Sequence, residues 1–331
     1  MSKKILMAHG AGGKLSSELL HEIILPAFDN EILHELHDGA KIGKLAMTTD
    51  SYVVRPIFFR GGDIGKLSIC GTVNDLAVTG AVPKYISVGV ILEEGFDFDE
   101  LKKIVSSMAT AAKEAGVKIV TGDTKVVGRG QADGIFINTA GVGELIDGVD
   151  ISAKNICTGM KILISGTIGD HATTILSERH GLELPENIKS DCAPLNKMIR
   201  EMLAVEPEIA MLRDATRGGI AAVLNEIAQA ANVGILLDEE KIPVREEVSG
   251  VCDILGFDVL ELANEGKIIA VVPAESVEKI LSVMRKNIYG KHAAQIGEIV
   301  SSPAGKVGLK TSLGSVRIVD MPTGELVPRI C

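Results

Sequence analysis

The sequence predicts a mixed α/β fold of two domains, and three features support this prediction. Apolar runs rich in β-branched residues alternate with stretches of helical periodicity. The chain has 331 residues, of which 46% are hydrophobic and 24% are charged, enough for two ordinary cores. A polar, turn-rich stretch over residues 150–159 separates two parts of similar size.

Strands are predicted where apolar β-branched runs are bounded by Gly, Asp or Pro, and helices where apolar residues recur every three or four positions. The predicted strands cover residues 84–92, 117–121, 134–142 and 161–165, and the predicted helices cover 100–115, 218–231 and 274–286. Beyond residue 299 the chain becomes short-stranded and is punctuated by proline. We therefore expect domains at 1–155 and 156–305, followed by a C-terminal segment at 306–331.

Composition argues against several classes of function. Subtracting 44 acidic from 34 basic residues leaves a net charge of −10, which repels a nucleic-acid backbone, and an aromatic content of 3% without Trp offers few stacking surfaces. The five cysteines are an odd number without CxxC spacing, so a disulfide framework is not expected. The N-terminus lacks the apolar core of a signal peptide, and no run is long enough to span a membrane. These features predict a cytoplasmic protein without nucleic-acid or membrane partners.

Four aspartates share one local context in the first domain. Asp38, Asp50, Asp75 and Asp123 lie in the segments HDGA, TTDS, VNDLAVTG and TGDTK, each interpreted as a Gly-, Thr- or Asn-containing turn. A single such Asp is usually a turn residue or helix cap. Four at the ends of strand-like runs favour magnesium, because this ion binds phosphates together with oxygen ligands from separate loops.

Two glycine-containing segments precede predicted helices. The segment HGAGGKL at residues 9–15 could offer backbone N–H groups to phosphates, although it matches neither standard nucleotide fingerprint and could equally be a plain loop. In the second half, Asp214, Thr216 and Arg217 come directly before a glycine pair and an amphipathic helix. Capping explains this arrangement, but Arg beside a helix N-terminus is also a good anion site. The segment NEGK, with Glu265, is either a solvated turn or part of a site.

The last residue, Cys331, ends the segment MPTGELVPRIC at residues 321–331. A prenylation box would need its Cys fourth from the end, and the last four residues are PRIC. Eleven nearly extended residues reach roughly 35 Å. Pro322 and Pro328 should keep this arm extended and out of helices. The sequence thus predicts a thiol on a mobile arm that visits an internal site and a partner's site.

Taken in order, the aspartate segments, DATRGG, NEGK and the terminal PRIC resemble the HypE hydrogenase maturation proteins, which are carbamoyl dehydratases of the PurM-like ATP-binding superfamily. The resemblance covers essentially the whole chain. The aspartate segments are shared with the wider superfamily, including thiamine-phosphate kinase and selenophosphate synthetase, whereas PRIC is the specific part. The resemblance implies an N-terminal PurM-like domain that binds ATP and forms a homodimer through its sheet, and a C-terminal α/β domain that closes the ATP site.

The resemblance also implies a reaction and partners. A HypF-type carbamoyltransferase loads Cys331, ATP with Mg2+ drives dehydration of the carbamoyl group to a thiocyanate, and a HypC–HypD complex accepts the cyanide for a nickel–iron hydrogenase. Glu265 and Lys125 match the family's proton-transfer residues beside the thiocarbamate on Cys331. The implied metal ligands are Asp38, Asp50, Asp75 and Asp123. The implied ATP-binding residues are His9, Gly10, Gly12, Gly13, Asn74, Asp75, Thr124, Asp214, Thr216, Arg217 and Gly218.

Two other functions are compatible with the sequence. A small-molecule kinase of the same superfamily would phosphorylate a free metabolite and would not need Cys331. A non-catalytic carrier would present its C-terminal peptide to partners, and its aspartates would be purely structural. Magnesium-dependent ATP binding distinguishes the carrier from both enzymes.

Overall fold

The computed structural model describes residues 4–324, 327 and 329–331, and it contains two α/β units in chain order. Pro328, which the sequence analysis placed in the extended arm, lies outside the described residues. Short 3-10 and π-helical turns connect or extend several elements. The elements of the first unit are α1 (Lys14–Leu19), α2 (Leu25–Ala27), β1 (Ala40–Ile42), β2 (Leu45–Tyr52), β3 (Phe58–Phe59), β4 (Gly62–Asp63), α3 (Ile64–Val78), β5 (Ala81–Glu93), α4 (Phe98–Ala115), β6 (Lys118–Val127) and β7 (Ile135–Leu145).

The second unit follows a connection that contains one 3-10 turn. Its elements are β8 (Lys161–Ile164), α5 (Asp170–His180), α6 (Asn196–Val205), β9 (Met211–Asp214), α7 (Gly219–Ala231), β10 (Gly234–Asp238), α8 (Glu246–Leu255), β11 (Ile268–Val272), α9 (Val277–Lys286), β12 (Ala294–Val300), β13 (Lys306–Lys310) and β14 (Val316–Val319).

The first sheet has the strand order β1-β2-β7-β5-β6, with β5 and β6 parallel and the other neighbours antiparallel. One face is covered by α3, which Asp63 caps by accepting N–H groups from Gly65 and Lys66 at 2.7 and 2.9 Å. Helix α3 is buried almost throughout, because it also contacts β9 and α6 of the second unit. It therefore joins the two units.

The second sheet has the strand order β14-β13-β10-β12-β8-β11-β9. Strand β11, between β8 and β9, is buried at every residue, which is typical of a strand covered on both faces. The sheet continues past residue 305, because β13 pairs with β10 and β14 pairs with β13. The segment from residue 306, predicted to be a separate C-terminal piece, thus begins with two strands of this sheet.

The end of the chain packs into the protein. The carbonyl of Cys331 accepts the N–H of Val53 at 2.9 Å, and the carbonyl of Arg329 accepts the N–H of Arg55 at 3.2 Å. Ile330 and Cys331 are buried in a hydrophobic cluster that includes residues of α3, α4 and α5. The C-terminus thus lies between the two units, just after β2.

Most predicted elements are present. The predicted strands 84–92 and 134–142 lie within β5 and β7, and the helix predicted at 100–115 is α4, which begins two residues earlier. The predicted strand 117–121 was too short, because β6 continues through TGDTK to Val127. Within the described part of the chain, no helix combines the length and apolar character needed to span a membrane.

Candidate active site

Carboxylates from both units meet beside the junction of the sheets. Asp38 lies in the bend before β1, Asp50 in β2, Asp75 in α3 and Asp214 at the end of β9. All four predicted metal ligands were interpreted as turn residues. This was wrong for Asp50, Asp75 and Asp123, which lie in β2, α3 and β6, and only Asp38 lies in a bend. Asp38 Oδ1 accepts from Arg213 Nε at 2.8 Å, and Asp75 Oδ2 accepts from the Thr48 hydroxyl at 2.9 Å.

These carboxylates repel one another. Burial raises the pKa of Asp75 well above its ordinary value, and the charges of Asp214, Asp38 and Asp50 raise it further. Burial, followed by Asp38, does the same to the pKa of Asp214. Mutually repelling, desolvated carboxylates are an oxygen-ligand set that a divalent cation would neutralise. In the arrangement described for this chain, however, no three acidic, His or Cys side chains form a ready metal-binding group.

Asp123 does not join the other carboxylates. Paired positions in a sheet share a face, and the row that contains Asp50 continues through Thr139 and Val88 to Gly122. Thr139 bonds to Thr72 of α3, so this row faces the helices. Asp123 is one residue further and lies on the opposite face. Three strand spacings separate β2 from β6, which is roughly 14 Å.

Lys125 shares the uncovered face with Asp123. Its ammonium lies 2.6 Å from Asp123 Oδ2, and both side chains are 67% exposed. Thr124, between them, is also exposed on the edge strand β6. Among the described residues, no hydrogen bond or ion pair joins Lys125 to Glu265 or Cys331, the other two predicted catalytic residues.

The thiol of Cys331 lies beside the carboxylate cluster. Arg217 Nη1 donates to Cys331 Sγ at 3.2 Å and lies 3.9 Å from Asp50 Oδ1. Burial raises the pKa of the thiol from 9.0 to about 12, with Arg217 opposing this rise and Glu265 adding to it. The docked thiol is therefore uncharged at neutral pH. Arg217, predicted as a phosphate ligand, thus contacts the sulfur of Cys331.

Glu265 is buried with one carboxylate oxygen unsatisfied. Its Oε1 has no hydrogen-bond partner among the described residues. Burial raises the pKa of Glu265 well above its ordinary value, and the neighbouring Cys192 and Asp191 raise it further. Asp191 accepts the N–H of Glu265 at 3.0 Å and pairs with buried Lys267 at 2.9 Å. A buried carboxylate with a raised pKa is a suitable general base or acid.

The glycine-rich loop borders a cavity of about 450 Å³ that also reaches Arg217, Gly218 and Cys331. Gly10 lines this cavity, and a Cβ added there would meet nothing within 4 Å. A Cβ on Gly12 would come within 2.9 Å of Arg217, and one on Gly13 within 2.2 Å of the Pro322 carbonyl. These two glycines thus allow the loop to pack tightly against Arg217 and the start of the tail.

Several other predicted ATP-binding residues have roles in the local structure, through hydrogen bonds or backbone conformation. His9 is buried, and its Nδ1 atom contacts the N–H of Leu6 at 2.9 Å. Asn74 bridges the units, since its amide bonds to Ala193 and Leu195 of the second unit at 3.0 and 2.8 Å. The carbonyl of Thr216 accepts the N–H of Gly219 at 3.0 Å in the turn before α7. Gly218 adopts a positive φ of 75° in the same turn, which favours glycine.

Several contacts with the C-terminus were absent from the sequence predictions. His171 and Arg179 of α5 contact the carbonyls of Ile330 and Arg329 at 2.8 and 2.7 Å. Asp133 forms ion pairs with Arg55 and Arg329. Arg329 and Ile330 belong to the terminal PRIC, but His171, Arg179, Arg55 and Asp133 lie outside every motif named in the sequence analysis. His171 lies in the stretch Asp170–Ser177 of α5, where polar and apolar residues alike are buried, so no amphipathic pattern marked it.

The chain is similar to proteins of known family. Residues 31–145 match the family described as AIR synthase related protein, N-terminal domain, and residues 158–310 match the corresponding C-terminal domain. The "Carbamoyl dehydratase HypE" of Cupriavidus necator is 47% identical over 100% of this chain and 95% of its own length. The structure described as "HypE-HypF complex" is 50% identical, with a TM-score of 0.89 over 92% of this chain and 99% of that chain. The structure of HypE "in complex with ATP" is 48% identical, with a TM-score of 0.84 over 99% and 100%.

Proposed function

This chain belongs to the HypE family of carbamoyl dehydratases, and from that membership we propose that it uses ATP to dehydrate a carbamoyl group on its own Cys331. The product is a thiocyanate that supplies cyanide for the metal centre of a nickel–iron hydrogenase. One observation carries the proposal: the last thiol of the chain is buried 3.2 Å from Arg217, beside a buried Glu265 and a carboxylate cluster. A solvent-exposed chain end would have no such environment.

The chemistry requires that the carbamoyl oxygen leave as phosphate. The oxygen of the thiocarbamate takes up the γ-phosphoryl group of ATP, two protons leave the nitrogen, and the C–O bond breaks to form the nitrile. Asp38, Asp50, Asp75 and Asp214 are the residues that would hold Mg2+, because their mutual repulsion is relieved by a cation. When bound there, Mg2+ would neutralise the negative charge of the phosphates.

Arg217 and Glu265 have distinct tasks in this scheme. Arg217 orients the sulfur through its contact with Sγ and keeps positive charge close to the departing phosphate. In its ionised form Glu265 takes a proton from the nitrogen, and burial, which raises the pKa of Glu265, makes that form a stronger base. The pair of Asp191 and Lys267 holds the backbone of Glu265 in place.

A second copy of this chain completes the site. The face of the first sheet that lies away from α3 carries exposed apolar residues, including Met47, Tyr85 and Ile91. Because an exposed apolar sheet face is a typical subunit contact, the proposed homodimer buries this face. Lys125 lies on the same face and is separated from its own Cys331 by the sheet. It would therefore act on the tail of the second copy.

The partners follow from the reaction. A HypF-type carbamoyltransferase loads the thiol, and a HypC–HypD complex receives the cyanide, both in the cytoplasm. Loading requires the tail to leave its buried position, because the docked thiol is uncharged and enclosed. A small-molecule kinase or a passive carrier would need neither the buried thiol nor Glu265.

Intact mass spectrometry of the chain tests the proposal. After incubation with a HypF-type partner and carbamoyl phosphate, one carbamoyl group should be found on Cys331. Addition of ATP and magnesium should then remove the mass of one water from the same residue, with release of phosphate. A carbamoylated chain that retains its mass with ATP would contradict the dehydratase activity, and ATP turnover with a free metabolite alone would identify a kinase.

A further inference from the structure

The buried imidazole of His171 links the second unit to the chain terminus. Its Nε2 atom lies 2.8 Å from the carbonyl oxygen of Ile330, and its Nδ1 atom lies 2.8 Å from the Ser190 hydroxyl. The ring is fully enclosed and meets the ring of Phe59 edge to face at 5.4 Å between centroids. Both ring nitrogens are thus used, and one of them holds the residue that precedes the reacting cysteine.

The hydrogen-bond partners determine which nitrogen carries the proton. A carbonyl oxygen only accepts, so Nε2 must be the donor to Ile330. The Ser190 hydroxyl accepts the N–H of Cys192 at 3.1 Å, which leaves its own proton free to point at Nδ1. Burial lowers the pKa of His171, which keeps the ring neutral and Nδ1 able to accept. Ser190 therefore selects the tautomer that can hold the tail.

We propose that His171, oriented by Ser190, is a positioning residue that holds the carbamoylated tail in its inserted position by donating to the Ile330 carbonyl. This inference rests on the proposed dehydratase function. His171 contacts a backbone carbonyl rather than a side chain, and this carbonyl belongs to the residue directly before Cys331. If the imidazole were removed, the buried Ile330 carbonyl would lose its hydrogen-bond donor. The inserted position of the tail would then be less stable relative to the released position.

The role predicts different effects on carbamoyl loading and on dehydration. A weaker hold on the tail should leave carbamoyl loading unimpaired, because loading takes place on the released tail. Dehydration should be slower, because it requires the inserted tail. A general loss of folding would slow both halves, so the split between them separates positioning from a structural role.

The test compares His171→Leu, His171→Gln and Ser190→Ala with the control His180→Leu, which changes an exposed histidine of the same helix α5. The first measurement is alkylation of Cys331 in the full chain without carbamoyl phosphate, followed on the peptide released by cleavage after Lys310. We expect roughly five- to a hundredfold faster labelling in His171→Leu, from the cost of an unsatisfied buried carbonyl. Ser190→Ala should show a smaller increase, because its ring still has one tautomer that donates from Nε2.

The second measurement is the rate of water loss after carbamoylation. It should fall in His171→Leu, by a factor that approaches the rise in labelling only where the released position of the carbamoylated tail predominates over the inserted one. It should recover in His171→Gln, whose amide nitrogen can replace Nε2. Thermal unfolding and ATP binding establish that each variant is folded. Parental labelling and parental dehydration in a folded His171→Leu chain would overturn the proposal. If the parent chain forms no thiocyanate, the proposed function fails, whereas the labelling result still decides whether His171 holds the tail.

Discussion

The Nη1 atom of Arg217 donates to the Sγ atom of Cys331 at 3.2 Å. The same Nη1 atom is 3.9 Å from Asp50, so one cation connects the carrier sulfur with the carboxylate cluster. A change of charge on Cys331 should therefore alter the electrostatic environment of Asp50, and a change on Asp50 that of Cys331.

Cys331→Ser should abolish carbamoyl loading while leaving the fold and ATP binding intact. A hydroxyl is a far weaker nucleophile than a thiol at neutral pH, and the near-isosteric change should cost about 1 kcal/mol of stability or less. Mass spectrometry after incubation with the carbamoylating partner measures the effect. Cys157→Ala, which removes an exposed thiol, is the control and should load normally. Loading of an internal cysteine instead would refute the assignment of the carrier.

Asp75→Asn should weaken magnesium-dependent ATP binding by on the order of tenfold or more, because one anionic ligand is lost. Its pKa is raised in the folded chain, so the ionised carboxylate opposes folding at neutral pH. The metal-free variant should therefore be as stable as the parent or more stable, by on the order of 1 kcal/mol. Calorimetric titration and thermal unfolding measure the two effects, with exposed Asp147→Asn as the control. If Asp75→Asn binds ATP with unchanged affinity at the same magnesium concentration, Asp75 is not a metal ligand and its role is structural.

Glu265→Gln should accept the carbamoyl group and bind ATP but dehydrate roughly 10²- to 10⁴-fold more slowly, since an amide cannot act as a base. The substitution preserves shape, and because the raised pKa favours a neutral carboxyl group it should not destabilise the fold. Single-turnover mass spectrometry gives the rate. Glu261→Gln, which lines the cavity beside Cys331, provides the comparison. Equal rates in the two variants would place proton transfer elsewhere.

The pH dependence of Cys331 alkylation should report the docking of the tail. The docked thiol has a pKa of about 12 against an ordinary 9.0, so it holds its proton more tightly than the released thiol. Docking is thus at full strength below pH 9 and weakens as the pH rises from 9 towards 12. Labelling of the intact chain should keep accelerating above pH 9, where a free peptide of residues 321–331 levels off. Coincident curves would mean that the thiol is not buried in solution.

Mixed dimers should reveal whether Lys125 acts on the second copy. A Lys125→Ala chain keeps its tail, and a Cys331→Ala chain keeps its lysine, so each homodimer should fail to form thiocyanate. If Lys125 acts across the interface, a mixture should regain activity in heterodimers, because the lysine of one chain meets the tail of the other. Size-exclusion chromatography with light scattering measures the oligomeric state. A mixture that stays inactive despite subunit exchange would show that Lys125 acts within its own chain.

The sequence predicted the elements better than the grouping of side chains. Hydrophobic periodicity found β5, β7 and α4 because each buries one face in its own unit. It could not group the aspartates, since Asp50 and Asp123 both follow Thr or Gly in strand-like segments and differ only in which face of the sheet they occupy. That difference depends on the pairing register across four strands.

The contacts of the C-terminal tail could not be predicted from local sequence patterns either, because they join residues far apart in the chain. His171 contacts Ile330 across 159 positions of the chain, and no motif marks His171 as a partner of the terminal PRIC. The terminal PRIC identified the reactive sulfur, but its surroundings come from β2, α5 and the turn before α7, which only folding brings together. The raised pKa values of Glu265 and Cys331 likewise follow from burial, which depends on the assembled chain.

The terminal segment is hydrogen-bonded to the rest of the protein at both of its ends. The length of chain between these two contacts therefore limits where the sulfur can lie. Near its start, the carbonyl of Pro322 accepts the N–H of Lys14 at 2.8 Å, and at its finish Val53 holds the carbonyl of Cys331. One inserted or deleted residue between these anchors shifts the sulfur by up to about 3.3 Å, as large as its separation from Arg217. The number of residues between Pro322 and Cys331 should therefore set how closely the sulfur approaches Arg217.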